Sequence, residues 1–240
     1  MLSEAIQQQL QARYEHGIGK TKKAFMLSEA FEGWVRQLEE REAYSTVAFI
    51  DIADFSTKTR GYTATAVRKY LDPFYELALP EIYKNRGRVD RIIGDGVVAV
   101  FSEFFEAGVG NSELDSRVLA TARAIVKASA DTDHPCKAAV TSGELLFCRT
   151  GVADIYQDFT VIGRPLTEVY RMEDIAGGMQ VVLPKNSGPG SLIEMELLQK
   201  RLMTPGRSAP SPGWTYSEQS FNFKGLGKTD CYVIDRTREI

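Results

Sequence analysis

Apolar and polar positions along this 240-residue chain switch repeatedly between helical and strand periods, and each switch marks an element. From residue 24 onward Phe25, Leu27, Phe31, Trp34, Val35 and Leu38 recur near helical spacing. They lie in a proline-free stretch rich in Gln, Glu, Ala, Lys and Leu, so residues 1–42 are expected to form a helical lead-in that packs on its own domain. "YSTVAFIDI", residues 44–52, is a β-branched and aromatic run without strict alternation, which predicts a strand buried on both faces and ending at Asp51. Residues 62–84 look helical, with Pro73 and Pro80 expected to divide them, and "NRGRV" then turns the chain. Two apolar runs come next, Val89 to Ile93 and Val97 to Phe101, with Gly94-Asp95-Gly96 between them as a strong hairpin signal.

A helix is expected over about 113–129, and "PCKAAVTSGELLFC" reads as a strand, a Ser-Gly turn and a second strand. "QDFTVIG" predicts a short strand, "RPLTEVYRMEDIA" a helix with Pro in its first turn, and "MQVVLP" another strand. From Pro184 to Gln219 two loop-like stretches flank an apolar-periodic piece, Leu192 to Met203, which predicts a helix between loops; the remaining residues predict a strand pair. Helices and strands thus alternate through residues 43–240, which are expected to form one domain.

Composition narrows the partners. Hydrophobic residues, 43% of the chain, suffice for a large core, while the 25% charged residues nearly cancel to a net charge of -3. No global field attracts nucleic acid or an anionic membrane, so any phosphate chemistry has to be local. Cys136, Cys148 and Cys231 are an odd set without metal-type spacing, which suits a reducing compartment, and with only His16 and His134 a histidine-rich metal site is excluded. The N-terminus lacks a signal-peptide pattern and no apolar stretch approaches membrane-spanning length, so a cytoplasmic location is expected.

Asp51 closes a core strand and Asp95 lies in a hairpin; if those strands are neighbours, the two carboxylates meet at one edge. Paired carboxylates suit hard divalent cations, which keep other positions for water and substrate phosphates. Taken singly, each Asp reads equally well as a strand-end residue capping a turn. "FNFKGLGKTD", residues 221–230, invites a phosphate-loop assignment, but Asn222 stands where that motif needs Gly, and no following helix is indicated.

In their order these pieces resemble the class III nucleotidyl cyclases over roughly residues 44–235. "FIDIADFS" is similar to the family's first metal segment, and "GRVDRIIGDGVVAVF" to its second metal hairpin with a base-reading basic residue on the preceding strand. "VTSGELLFCRTG" corresponds to the Gly-Glu hairpin, "DFTVIGRPLTEVYRM" to the strand and helix that carry an Asn and an Arg, and "FKGLGKTDCYVID" to the closing hairpin with a triphosphate-binding Lys. The resemblance implies an α/β (α+β) class III cyclase catalytic fold: a ferredoxin-like, mixed, mainly antiparallel sheet surrounded by helices.

It further implies Asp51 and Asp95 as metal ligands, with the Ile52 carbonyl as a backbone ligand, for two Mg²⁺ or Mn²⁺ ions per site. Arg171 takes the position that stabilises the pentavalent phosphorus, and Lys224 the triphosphate position. The family's site forms between two domains arranged head to tail, so a homodimer with sites at its interface is expected. The substrate would be a nucleoside triphosphate, cyclised by attack of the ribose 3′-hydroxyl on the α-phosphate.

Three positions depart from the family. Thr167 replaces the transition-state Asn, Arg91 stands where adenine-specific members carry Lys, and Thr160 where many carry Asp. Arg91 offers only donors and Thr160 donates or accepts, which favours a pyrimidine, uracil ahead of cytosine, although guanine O6 is also a good Arg partner. Alternatively, Arg91 pairs with a nearby acid such as Asp90 or Glu168. The short architecture is similar to the pyrimidine cyclases of the bacterial antiphage system Pycsar, which implies cyclic UMP or cyclic CMP as product and a separate, product-activated effector as partner. The rival expectations are a freestanding adenylate or guanylate cyclase, and a catalytically degenerate domain that binds nucleotide or only dimerises. A diguanylate cyclase is set aside, because the hairpin reads Ile-Gly-Asp-Gly and lacks that family's turn.

Overall fold

The computed structural model describes residues 29–203 and 213–236. Helix α1, Glu29–Leu38, covers part of the expected lead-in, whose residues 1–28 lie outside the described residues. Strand β1, Arg41–Ile52, begins three residues earlier than its apolar run and is buried on both faces from Ser45 to Ile50. One helical turn, α2 (Phe55–Lys58), and the long α3 (Ala64–Lys84) lead to β2 (Arg88–Ile93) and β3 (Gly96–Ser102). Then come α4 (Asn111–Ser129), β4 (Cys136–Val152), β5 (Tyr156–Ile162), α5 (Arg164–Glu173), β6 (Gln180–Pro184), α6 (Gly188–Met203), β7 (Trp214–Phe223) and β8 (Gly227–Arg236).

The strands form one sheet in the order β2-β3-β1-β4-β6-β8-β7, with β5 paired to the distal half of β4. Every pairing is antiparallel except β4 with β6. The mixed, mainly antiparallel sheet flanked by helices is the architecture the sequence predicts. Because side chains alternate across a strand, β1 sends Val47 and Phe49 into one core and Ala48, Ile50 and Ile52 into the other. Helices α1 and α5 close the first core; α3, α4 and α6 close the second.

Three elements differ from expectation. Helix α3 runs unbroken through Pro73 and Pro80. Each proline in a helix costs about 3 kcal/mol or more, but the stripe Phe74, Ala78 and Ile82 is buried against the sheet, and burial of large apolar side chains recovers about 1.5–3 kcal/mol apiece. The Ser142-Gly143 step is no turn: β4 is a single 17-residue strand, paired with β1 from Arg41↔Phe147 to Ile52↔Cys136. A Cβ at Gly143 would stand 3.0 Å from Cγ of Pro165, so this glycine admits the first turn of α5 close to the sheet. The helix expected over Leu192 to Met203 starts earlier, at Gly188, and takes in part of what the sequence marks as loop. No helix among the described residues is long and apolar enough to cross a membrane.

Candidate active site

The β2–β3 ladder closes at Ile93↔Gly96, leaving Gly94-Asp95 as a two-residue loop. Of these two only Gly94 has positive φ, at 57°, the pattern of a type II′ turn with glycine first. The turn is therefore a hairpin, and its second residue carries a carboxylate. Strand β3 lies beside β1, with Ile50↔Val97, so Asp95 is brought to the end of β1 where Asp51 sits. Gly96 permits that approach: a Cβ there would lie 2.2 Å from Cε2 of Phe49 and 3.3 Å from Oδ1 of Asp51.

Asp51 and Asp95 are within hydrogen-bonding reach, and the protein holds both pKa values above the ordinary carboxylate range. For Asp51 the causes are burial, then the charge of Asp95 and its hydrogen bond, then Glu173; for Asp95 the leading cause is burial. Two partly buried carboxylates this close ionise together only with counter-charge nearby, so beyond what Lys137 supplies the pair favours a proton or a further cation. The donor set is all oxygen, which fits Mg²⁺ or Mn²⁺. The Ile52 side chain is buried in the opposite core, which leaves its main-chain carbonyl as what it can offer. Among the described residues no three His, Cys, Asp or Glu side chains form a metal cluster; a divalent ion held by the two carboxylates would complete its shell with substrate and water.

Two residues that the sequence does not single out join this edge. Lys137 is the β4 residue opposite Asp51, with its Nζ 3.7 Å from Asp51 Oδ2 and 2.5 Å from Oε1 of Glu173, at the end of α5. Burial lowers the Lys137 pKa, but the hydrogen bond and charge of Glu173 outweigh it and the net shift is upward. No local pattern marks either residue, since it is the register of β4 against β1 that brings them to Asp51.

A second cluster forms around Arg91. A bulge between Val89 and Arg91 interrupts the β2 ladder at Asp90 and re-aims the side chains on either side. Asp90 accepts from Arg91 Nε at 2.5 Å, from Thr160 Oγ1 at 2.8 Å and from the Val161 amide at 3.3 Å, while Arg91 Nη2 donates to Thr160 Oγ1. Arg91 and Thr160 are thus adjacent within one chain, and Arg91 also pairs with Asp90, as the alternative expectation had it.

Thr167, Arg171 and Lys224 stand apart from the dicarboxylate. Thr167 and Arg171 are exposed, one helical turn apart on α5, whose buried side is Pro165, Leu166, Val169, Met172 and Glu173. Arg171 lies two residues before Glu173, about 200° around the helix, so one faces solvent as the other faces Lys137. Lys224 is exposed in the β7–β8 turn. Along the register, Asp51 is level with Lys137, and Ala138 pairs with Val181, which sets Gln180, Asp235 and Thr215 on the same row. The β7–β8 turn begins eight residues further, at Phe223, about 26 Å along the strands and four strands, about 19 Å, across. One chain does not bring Lys224 to the phosphate that Asp51 would serve.

Comparison with known proteins agrees with the fold. No family model matches the chain. An uncharacterized protein of Mycobacterium tuberculosis, Rv1320c, is 30% identical over 144 residues, covering 58% of this chain and 24% of that protein, so the chain spans about a quarter of the curated relative's length. The guanylate cyclase domain of RhGC from Catenaria anguillulae, solved in complex with GTP, superposes with a TM-score of 0.62 at 16% identity, over 82% of this chain and 100% of that domain. The adenylyl cyclase CyaB from P. aeruginosa gives a TM-score of 0.62 at 18% identity, over 83% of this chain and 97% of that one. Sheet order, helix placement and these superpositions together establish that the chain has the fold of the class III nucleotidyl cyclase catalytic domains.

Proposed function

We propose that this chain is a nucleotidyl cyclase that converts a nucleoside triphosphate, UTP or CTP, to its 3′,5′-cyclic monophosphate and pyrophosphate. The observation that carries the proposal is the convergence of Asp51 and Asp95, two half-buried carboxylates that the β1–β3 pairing and the Gly94-Asp95 turn bring to one sheet edge, where their proximity favours a cation. Divalent ions held there would supply charge neutralisation at the phosphates and acidify the attacking hydroxyl. In the reaction the O3′–phosphorus bond forms as the bond to the β-phosphate oxygen breaks, pyrophosphate leaves with the electron pair, and the hydroxyl proton passes to solvent.

The rest of the machinery comes from a second copy. The separation of Lys224 from Asp51 supports a head-to-tail homodimer, in which Arg171, Thr167 and Lys224 of one chain face Asp51 and Asp95 of the other. Exposed apolar residues flank the relevant edges: Ile92 and Ile93 beside Asp95, and Val152, Ile155 and Tyr156 at the β4–β5 tip, with Ile155 84% exposed. In that arrangement Arg171 donates to the reacting phosphate, Lys224 binds the triphosphate, and Thr167 contributes one hydroxyl where an amide would reach further.

Arg91 and Thr160 read the base. Thr160 donates to Asp90 and accepts from Arg91 Nη2, which orients the guanidinium, and the remaining guanidinium N–H donors suit a base carbonyl such as O4 or O2 of uracil. The long guanidinium suits a base smaller than a purine. The product would act in the cytoplasm on a separate effector, as a second messenger in antiphage defence.

The test is incubation with an equimolar mixture of the four NTPs and Mn²⁺, with mass analysis of the product. Cyclic UMP or cyclic CMP is the expected result. A purine cyclic nucleotide refutes the base assignment, and absence of pyrophosphate from every NTP refutes catalysis in favour of a degenerate binding domain. Arg91→Lys is expected to redistribute products among the four bases while leaving Mn²⁺ dependence alone.

A further inference from the structure

The Lys137 ammonium lies between two carboxylates that would need it for opposite reasons. It is 2.5 Å from Glu173 Oε1, 3.5 Å from the Glu173 main-chain oxygen and 3.7 Å from Asp51 Oδ2. The first is a short charge-assisted hydrogen bond, and the last is an ion-pair distance without a full bond. The three side chains are only 10–17% exposed, so solvent screens them weakly. Lys137 and Asp51 are fixed opposite each other by the β1–β4 register, so the lysine cannot leave the neighbourhood; only its direction is adjustable. Glu173 sets that direction from α5, the helix whose Val169 and Met172 anchor it to the same sheet face.

We propose that Lys137 is a built-in competitor for the cation site at Asp51 and that Glu173 is the berth that holds it aside. This rests on the assignment of Asp51 and Asp95 as cation ligands. With the Glu173 carboxylate in place, the ammonium is satisfied there and Asp51 keeps an oxygen for a divalent ion. With an amide in its place, Asp51 becomes the nearest anion, the ammonium swings onto it, and an incoming cation has to displace it. Both residues are positioning residues: they act on the affinity of the site without supplying a ligand.

The test is titration of the full chain with Mn²⁺ alone, reading free Mn²⁺ by EPR, with thermal unfolding recorded for each variant. Wild type is expected to show a Mn²⁺ site that Asp51→Asn removes. Glu173→Gln should weaken it about tenfold or more, equivalent to about 1.4 kcal/mol. Lys137→Met should tighten it, and the double variant K137M/E173Q should return to within about threefold of wild type, because the competitor and its berth are removed together. An unchanged affinity in Glu173→Gln overturns the proposal. A double variant as weak as Glu173→Gln alone also overturns it, since a Glu173 that is itself a ligand would give that result. A wild-type chain with no Asp51-dependent Mn²⁺ binding sinks the cation site itself and this inference with it, which separates the two failures.

Discussion

A head-to-tail site has a quantitative signature in mixed dimers. Asp51→Asn removes a group from one half of each site, and Arg171→Ala removes a group from the other half. If Asp51 and Arg171 act from different chains, each variant alone is inactive, because both of its sites lack one component. In a 1:1 mixture that re-assorts freely, about half the dimers are mixed. In each mixed dimer one site carries both lesions and the other carries neither, so the mixture should recover about a quarter of wild-type turnover. The geometry supports this outcome: Arg171 points about 200° away from Glu173 on its helix, and Lys224 is displaced from Asp51 by about 26 Å along and 19 Å across the sheet. A lysine or arginine side chain reaches far less than that. The assay is pyrophosphate release with saturating NTP and Mn²⁺, with native mass spectrometry of differently tagged chains reporting the mixed dimer. If mixed dimers form and activity stays at the level of the separate variants, the site is built within one chain and the two-chain assignment is wrong.

Gly96→Ala should lower stability by about 1–3 kcal/mol in chemical denaturation, because its Cβ would enter the Phe49 ring and press on Asp51; an unmoved midpoint would contradict the close approach. Asp115 is buried against Tyr44, whose hydroxyl donates to it at 2.9 Å, and burial lifts its pKa to about 6. A carboxylate raised on folding binds more protons in the native state, so its effect is absent below about pH 4, grows between about pH 4 and 6 as stability falls, and is constant above. Relative to wild type, Asp115→Asn should therefore gain stability across that window, by at most about 3 kcal/mol, as read from denaturation midpoints at pH 4 and pH 7. Equal midpoint differences at the two pH values would refute the burial effect.

Much of the fold was legible because strand runs here are long, apolar and doubly buried. β1 and β3 declare themselves through continuous hydrophobic runs, and the turn between β2 and β3 through its Gly-Asp-Gly step. Where local rules failed, long-range contacts outweighed them: α3 absorbs two prolines because its apolar stripe is anchored on the sheet, and Gly143 sits mid-strand because Pro165 needs its space. The site divides in the same way. Asp51, Asp95, Arg91 and Thr160 lie in segments with recognisable order, whereas Lys137 and Glu173 belong to no short pattern and emerge only with the β1–β4 register and the docking of α5.

By itself the sequence determined most of the segments that become strands and helices, since periodicity and turn chemistry act over a few residues, and it determined that acidic side chains would stand at a strand end and in a tight turn. Tertiary structure alone decided that these carboxylates share one edge, that a lysine lies between Asp51 and Glu173, and that Arg171 and Lys224 face elsewhere. Strand order and register are set by burial summed over the whole sheet, a quantity that no short stretch of chain contains.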